Sequence, residues 1–159
     1  MAHNPIAMKK LFPALVLIAL YTPAFCQNTD KDDIKKAINT MFDAMRKGDS
    51  TMLKSVFADG LAFQGVHTKA DGTNVLENEK PYGFIKAVGT PHKEVWDERI
   101  TYGDIKVDGP LASVWTPYKF YRGQVFSHCG INFFQLMKTT TGWKIVYIID
   151  TRRKDNCPE

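Results

Sequence analysis

With 159 residues and a formal charge of +4, the chain has room for one domain and lacks the basic excess of a nucleic-acid-binding surface. Two of those charges, Lys9 and Lys10, flank a short apolar run, so the remainder carries +4 − 2 = +2. The run itself, residues 11–20 (LFPALVLIAL), is too short to cross a bilayer and is interrupted by Pro13.

Basic, apolar and small-residue segments follow one another from Met8 to Cys26, the order of a secretory signal peptide. Small residues at Ala24 and Cys26 place cleavage after Cys26, so residues 1–26 are read as the signal and 27–159 as the mature domain. Lipidation of Cys26 is the rival, although Phe25 is not the small residue that lipoprotein signals place there. The expected location is secreted or periplasmic, with no membrane attachment after cleavage. The mature chain would hold 159 − 26 = 133 residues, enough for one sizeable core.

From Thr29 onward, Ile34, Ala37, Ile38, Met41, Phe42 and Met45 recur on one face of a helix. Thr29 with Asp32 reads as its N-cap box, and Gly48 as its stop. Asp49 or Ser50 caps a short helix carrying Met52, Leu53, Val56 and Phe57, which Asp59-Gly60 ends. Residues 61–68 and 75–78 form two strands around the Asp71-Gly72 turn. Pro81 opens a third helix with Phe84, Ile85 and Val88 on one side, closed by Gly89 and Pro91. Beyond it the pattern is β: residues 93–102, 105–107, 111–121, 125–138 and 143–153. Pro117 marks an edge or a bulge in the third of these. The class is α+β, with helices packed on one face of a curved antiparallel sheet.

In the last hairpin, Gly142 suits a three-residue loop with a bulge, so that Thr139 pairs with Trp143. One face then collects Cys129, Ile131, Phe133, Met137, Ile145, Tyr147 and Ile149. The other collects His128, Asn132, Phe134, Leu136, Val146, Ile148, Asp150 and Arg152. A two-residue turn would shift the register and mix the faces, so the separating register is preferred. Neighbouring strand residues point to opposite faces, which divides the His128-Cys129 pair unless a bulge intervenes. Cys129 and Cys157 are candidate disulfide partners in an oxidising compartment, the alternative being one buried and one tail thiol.

His128, Asn132 and Asp150 share a face with apolar neighbours, as in a pocket wall. Asp150 is the candidate general base, His128 the acid or hydrogen-bond donor, and Asn132 the orienter of a carbonyl. Phe134, Ile148, Trp115 and Tyr118 are candidate ligand contacts. The competing account ties Asp150 to Arg152 at a sheet edge and leaves His128 near the surface. Trp96, Trp115, Tyr118 and Tyr121 fit either a pocket or a core. Asp97, Glu98 and Arg99 read as a solvated ion-pair ladder. His67 and His92 lie near loops without metal-ligand spacing. No phosphate loop, zinc or serine-hydrolase motif occurs, so neither metal nor cofactor is expected.

The helix ending AMRKGD, the segment SVFADG, the stretch VDGPLASVWTPYKFY and the hairpin containing GWKIVYIIDTRRK together resemble the nuclear transport factor 2-like superfamily. The likeness covers nearly all of residues 29–154. That superfamily includes the SnoaL-like proteins, and the last two of these segments look like those of small secreted bacterial members, some of them labelled "putative lumazine-binding". The resemblance implies a cone-shaped half-barrel with a pocket at its open end, and often a homodimer through the sheet. It does not imply catalysis, because the superfamily mixes enzymes, binding modules and assembly domains. The expected function is a secreted domain that binds a small apolar or aromatic molecule. The alternatives are an isomerase or hydro-lyase of the ketosteroid isomerase or scytalone dehydratase type using Asp150 and His128, and a dimeric accessory domain without ligand.

Overall fold

The computed structural model describes residues 24–158, with side chains from residue 29. The signal-peptide expectation lies outside the described residues, apart from the helical backbone of 24–26. Three helices, α1 (Ala24–Lys47), α2 (Ser50–Lys54) and α3 (Pro81–Gly89), accompany seven strands. The strands are β1 (Phe57–Thr68), β2 (Asn74–Glu79), β3 (Trp96–Ile100), β4 (Ile105–Asp108), β5 (Leu111–Arg122), β6 (Val125–Thr139) and β7 (Gly142–Thr151). They form one sheet in the order β2-β1-β7-β6-β5-β3, with β4 also pairing β5. Only β1 and β7 run parallel; the other pairs are antiparallel. The helices lie on the inner face of this curved, unclosed sheet, the α+β arrangement expected.

The apolar stripe of α1 supplies the centre of the core: Ile34, Ile38 and Phe42 are buried, and Phe42 meets Phe134 edge-to-face at 6.1 Å. The helix begins earlier than its sequence suggests, so Thr29 lies within it and is not its N-cap. Asp30 turns inward and accepts hydrogen bonds from Lys138 Nζ (2.6 Å) and Trp143 Nε1 (3.3 Å), tying α1 to the last hairpin. Gly48, at φ +64°, ends the helix. Asp49 caps α2 by accepting from the Thr51 and Met52 amides. That helix stops at Lys54, and Phe57 already belongs to β1, so Asp59-Gly60 falls inside the strand.

Two strand features differ from expectation. Pro117 lies on no outer strand and at no bulge of β5, but it does meet a local edge, since β3 pairs only residues 118–122 and β4 only 111–114. Its carbonyl accepts from the Thr101 amide at 3.0 Å, so its nitrogen faces the same side, where β3 has ended and β4 has not begun. A missing N–H costs nothing at that gap. In the last hairpin the turn has two residues, with Thr139 opposite Gly142 and Leu136 opposite Ile145. One extra residue, Val146, then bulges from β7, and beyond it Phe134 pairs with Ile148 and Asn132 with Asp150. The expected register therefore holds past the bulge and fails before it. Ile145 moves to the inner, buried face.

A second bulge, at Ser127, separates the pairs Tyr121–Phe126 and Phe120–His128. His128 faces inward with Phe120, while Cys129 pairs with Lys119 and is bonded to Cys157, the two Cα atoms 5.6 Å apart. Close by, Tyr118 lies over Gly130 and donates its hydroxyl to the Thr151 carbonyl at 2.9 Å. A Cβ at Gly130 would stand 1.8 Å from that carbonyl oxygen. Gly130→Ala should therefore lower the unfolding free energy by about 3 kcal/mol or more. Gly83→Ala, in open space within α3, should raise it by about 0.5–1 kcal/mol. Urea midpoints of the two variants check both.

Candidate functional site

Between the inner face of the sheet and helices α1 and α3 lies a cavity of about 380 Å³. Met41 and Met45 project from α1, and Phe84 and Ala87 from α3. The sheet adds Phe63 from β1, Trp96 from β3, Phe120 from β5 and Ile148 from β7, so most of the wall is apolar or aromatic. Strand alternation brings the polar groups to the same wall: Glu98 two residues after Trp96, and Asp150 two residues after Ile148.

Register places Asn132 directly opposite Asp150, and both are 5% exposed. Asn132 Nδ2 donates to Glu98 Oε1 at 2.7 Å, linking β6 to β3 over the inner face of β5. Asp150 Oδ2 accepts from Arg152 Nε at 2.7 Å, and Arg152 Nη2 donates to Glu79 Oε1 at 2.7 Å. Asp150 Oδ1 is buried and takes no hydrogen bond. It lies beside Gly65, where a Cβ would stand 3.1 Å from it and 2.8 Å from His67 Nε2. An unpaired buried carboxylate oxygen is costly in a finished core, and it has a use where a ligand donor can reach it.

Burial pushes the Glu98 carboxyl up to about 7, against the pull of the Asn132 hydrogen bond and with a further push from the Asp150 charge. Burial likewise raises the Asp150 carboxyl, opposed by Arg152. The His128 ring packs against Phe120 (centroids 5.0 Å) and Tyr118 (5.7 Å), its Nδ1 3.1 Å from Ser127 Oγ. Burial, then the charges of Arg152, Arg122 and Lys154, hold that ring down at about 4, so it is neutral at physiological pH. Glu98 is thus the group able to take or give a proton near neutrality.

The structure brings Asp150, His128, Asn132 and Ile148 to one cavity wall. Three other expected contacts lie elsewhere. Phe134 is fully buried against Phe42 and does not line the cavity. Trp115 is 49% exposed on the opposite face of β5, beside Phe133, because odd-numbered β5 residues point outward. Tyr118 is buried, but its hydroxyl is spent on Thr151. The ion-pair reading of β3 holds for Asp97 and Arg99, joined at 2.7 Å, and fails for Glu98, which points the other way. Its signal was the alternation Trp96, Glu98, Ile100, a period of two with the carboxylate between large apolar residues. Arg46 fixes the back of that strand, donating to Asp97 Oδ1 (3.3 Å) and to the Glu98 carbonyl (3.2 Å). Among the described residues, no group of three His, Cys, Asp or Glu side chains is placed to hold a metal.

A family model described as "Putative lumazine-binding" matches residues 29–148. Among solved structures, the chain is similar to a nuclear transport factor 2-like protein of unknown function from Shewanella baltica. The two are 17% identical, with a TM-score of 0.61, over 84% of this chain and 100% of that one. It is also similar to a nuclear transport factor 2-like protein with a cystatin-like fold from Novosphingobium aromaticivorans. That pair is 11% identical, with a TM-score of 0.65, over 83% and 87% of the two chains. At such identities the likeness of these structures shows the fold alone. No curated protein matches. The family model spans most of the sequence, so the chain belongs to the family described as "Putative lumazine-binding", and its fold is that of nuclear transport factor 2-like proteins.

Proposed function

We propose that this protein is an exported small-molecule-binding domain whose ligand is a flat heterocycle with N–H donors, of which lumazine is the example the family description offers. The observation that carries the reading is the unpaired Asp150 Oδ1 in an aromatic-walled cavity of about 380 Å³, a volume within the range of small-molecule sites. Rings of the ligand would lie against Phe84, Trp96 and Phe120, and its donors would meet Asp150 and Glu98. Export is supported by residues 8–26 and by the Cys129–Cys157 bond, which persists in an oxidising compartment.

A second reading is favoured by one observation, the Glu98 carboxyl near neutrality. It is an isomerase or hydro-lyase that moves a proton next to a carbonyl. Its base would be Glu98, because Asp150 is engaged by Arg152 and the His128 ring, held down at about 4, is a weak proton acceptor. The expected signature is solvent-deuterium uptake next to the carbonyl of a cyclic enone, abolished in Glu98→Gln. Equal uptake in both proteins removes this reading.

Native mass spectrometry and calorimetry test the binding function. Exported protein should begin at Gln27, retain the disulfide and take up one lumazine. Ala87→Phe, which fills the cavity from the helix side, should lose that complex with its melting temperature kept. A wild-type protein that binds neither lumazine nor any co-purified small molecule overturns the reading.

The raised Glu98 carboxyl also has a sign in stability. The folded state holds this proton more tightly than the unfolded chain, so its contribution falls as pH rises from about 4.5 to about 7. His128 acts oppositely, its contribution rising from about 4 to about 6.5, which masks Glu98 in the wild type alone. Glu98→Gln should therefore gain about 2–3 kcal/mol over wild type between pH 4.5 and pH 8, read by urea unfolding at both values. A pH-independent difference would contradict the placement of Glu98.

A further inference from the structure

Negative charge outweighs positive charge along the polar wall of the cavity. Glu98 accepts from Asn132 on Oε1, and no described residue donates to its Oε2. Asp150 gives Oδ2 to Arg152 and keeps Oδ1 bare. The Arg152 guanidinium is divided, since it holds Asp150 through Nε and Glu79 through Nη2. From α1, Arg46 reaches only the backbone carbonyl of Glu98, and its charge is met by Asp43 at 2.6 Å and Asp97 at 3.3 Å. Arg122, from β5, lies exposed at the rim. From β6, His128 is neutral, and the Tyr118 phenol below it is held protonated by burial and by the Glu98 and Asp150 charges. On β1, His67 turns Nε2 toward Glu77 Oε2 at 3.4 Å. Among the described residues, Glu98 Oε2 and Asp150 Oδ1 therefore stand without donors; both side chains line the cavity with Phe63, Phe84, Trp96 and Phe120, Asp150 Oδ1 buried in its wall beside Gly65.

This arrangement discriminates by ligand charge. A neutral apolar molecule would drive out water and leave both oxygens unpaired. An anion would be repelled. A cation whose charge is spread over N–H groups can donate to both oxygens and lie against the aromatic faces, which attract positive charge. We infer that the cavity selects a flat aromatic or heteroaromatic cation with at least two N–H donors, an amidinium or a protonated aminopyrimidine, over its neutral isostere. The inference rests on the ligand-binding reading above and adds the charge of the ligand to it. It also replaces the expectation of a simple apolar guest.

Three probes of one shape separate the outcomes by calorimetry: benzamidine, benzamide and benzoate, cation, neutral molecule and anion at pH 8. Benzamidine should bind at least about tenfold tighter than benzamide, with benzoate undetectable. The preference should shrink toward unity at pH 5.5, where Glu98 is protonated, and in Glu98→Gln at pH 8. At pH 6.5, benzamidine binding should release protons, seen as a heat that varies with the ionisation enthalpy of the buffer. Benzamide binding as tightly as benzamidine at pH 8 overturns the inference and leaves the ligand-binding reading standing. Failure of all three probes and of lumazine overturns both. The pH comparison uses only wild-type protein, so a poorly folding Glu98→Gln does not spare the inference.

Discussion

One extra residue in β7 makes both halves of the interior possible. A strand offers alternate side chains to alternate faces, and that parity is fixed along its length unless a residue is inserted. Trp143 and Ile145 must be buried against α1 and its neighbours, and Ile148 and Asp150 must face the cavity. Positions 143 and 145 have the opposite parity to 148 and 150. The bulge at Val146 absorbs the difference. Without it, either the packing at the turn end or the polar wall of the cavity would point to the outside. The short turn at Thr139–Gly142 and the opposition of Asn132 to Asp150 are consequences of the same insertion.

Placing charge in that wall works against stability. Glu98 lacks a cationic partner and Asp150 has a bare oxygen, so neither gains what its desolvation costs. The surrounding structure holds them there regardless. Arg46 pins β3 to α1, Asn132 fixes one Glu98 oxygen, and Arg152 is gripped by two carboxylates from β7 and β2. Apart from the Arg152–Asp150 pair, two residues apart, these contacts cross between elements distant in sequence, so the wall is set largely by the closed fold. Groups maintained in an unfavourable state by rigid neighbours are what a preformed binding site requires.

Much of this was legible before the structure. Periodicity located α1, Pro81 and Gly89 bounded α3, and hydrophobic alternation put Asn132, Ile148 and Asp150 on a common face. What failed has physical reasons. Thr29 satisfies the chemistry of a cap, yet nothing local halts the helix there, and it continues N-terminally. Tyr118 and Phe134 carry the right parity for the cavity, but parity does not give depth along the cone. Trp115 could not be assigned because Pro117 obscured the phase of β5, and the strand in fact runs through it unbroken. Glu98 was hidden by its neighbours: Asp97 and Arg99 do form an ion pair, which made the middle residue look like part of a solvated ladder. A charged side chain between Trp96 and Ile100 on the same face was the available clue.

The Cys129–Cys157 bond has a consequence that extends beyond the native state. The covalent ring it closes contains all of the β6–β7 hairpin from residue 130 onward, and with it Asn132, Ile148, Asp150 and Arg152. When the oxidised chain is denatured, that ring persists and the entropy of closing it has already been lost. The denatured ensemble thus keeps the two strands that bear most of the polar wall within a short tether of each other. Glu98, thirty-one residues before the ring, is left outside it. An oxidised molecule that unfolds would therefore find its hairpin again quickly, and the slower event would be the return of β3, which carries the carboxylate that completes the wall.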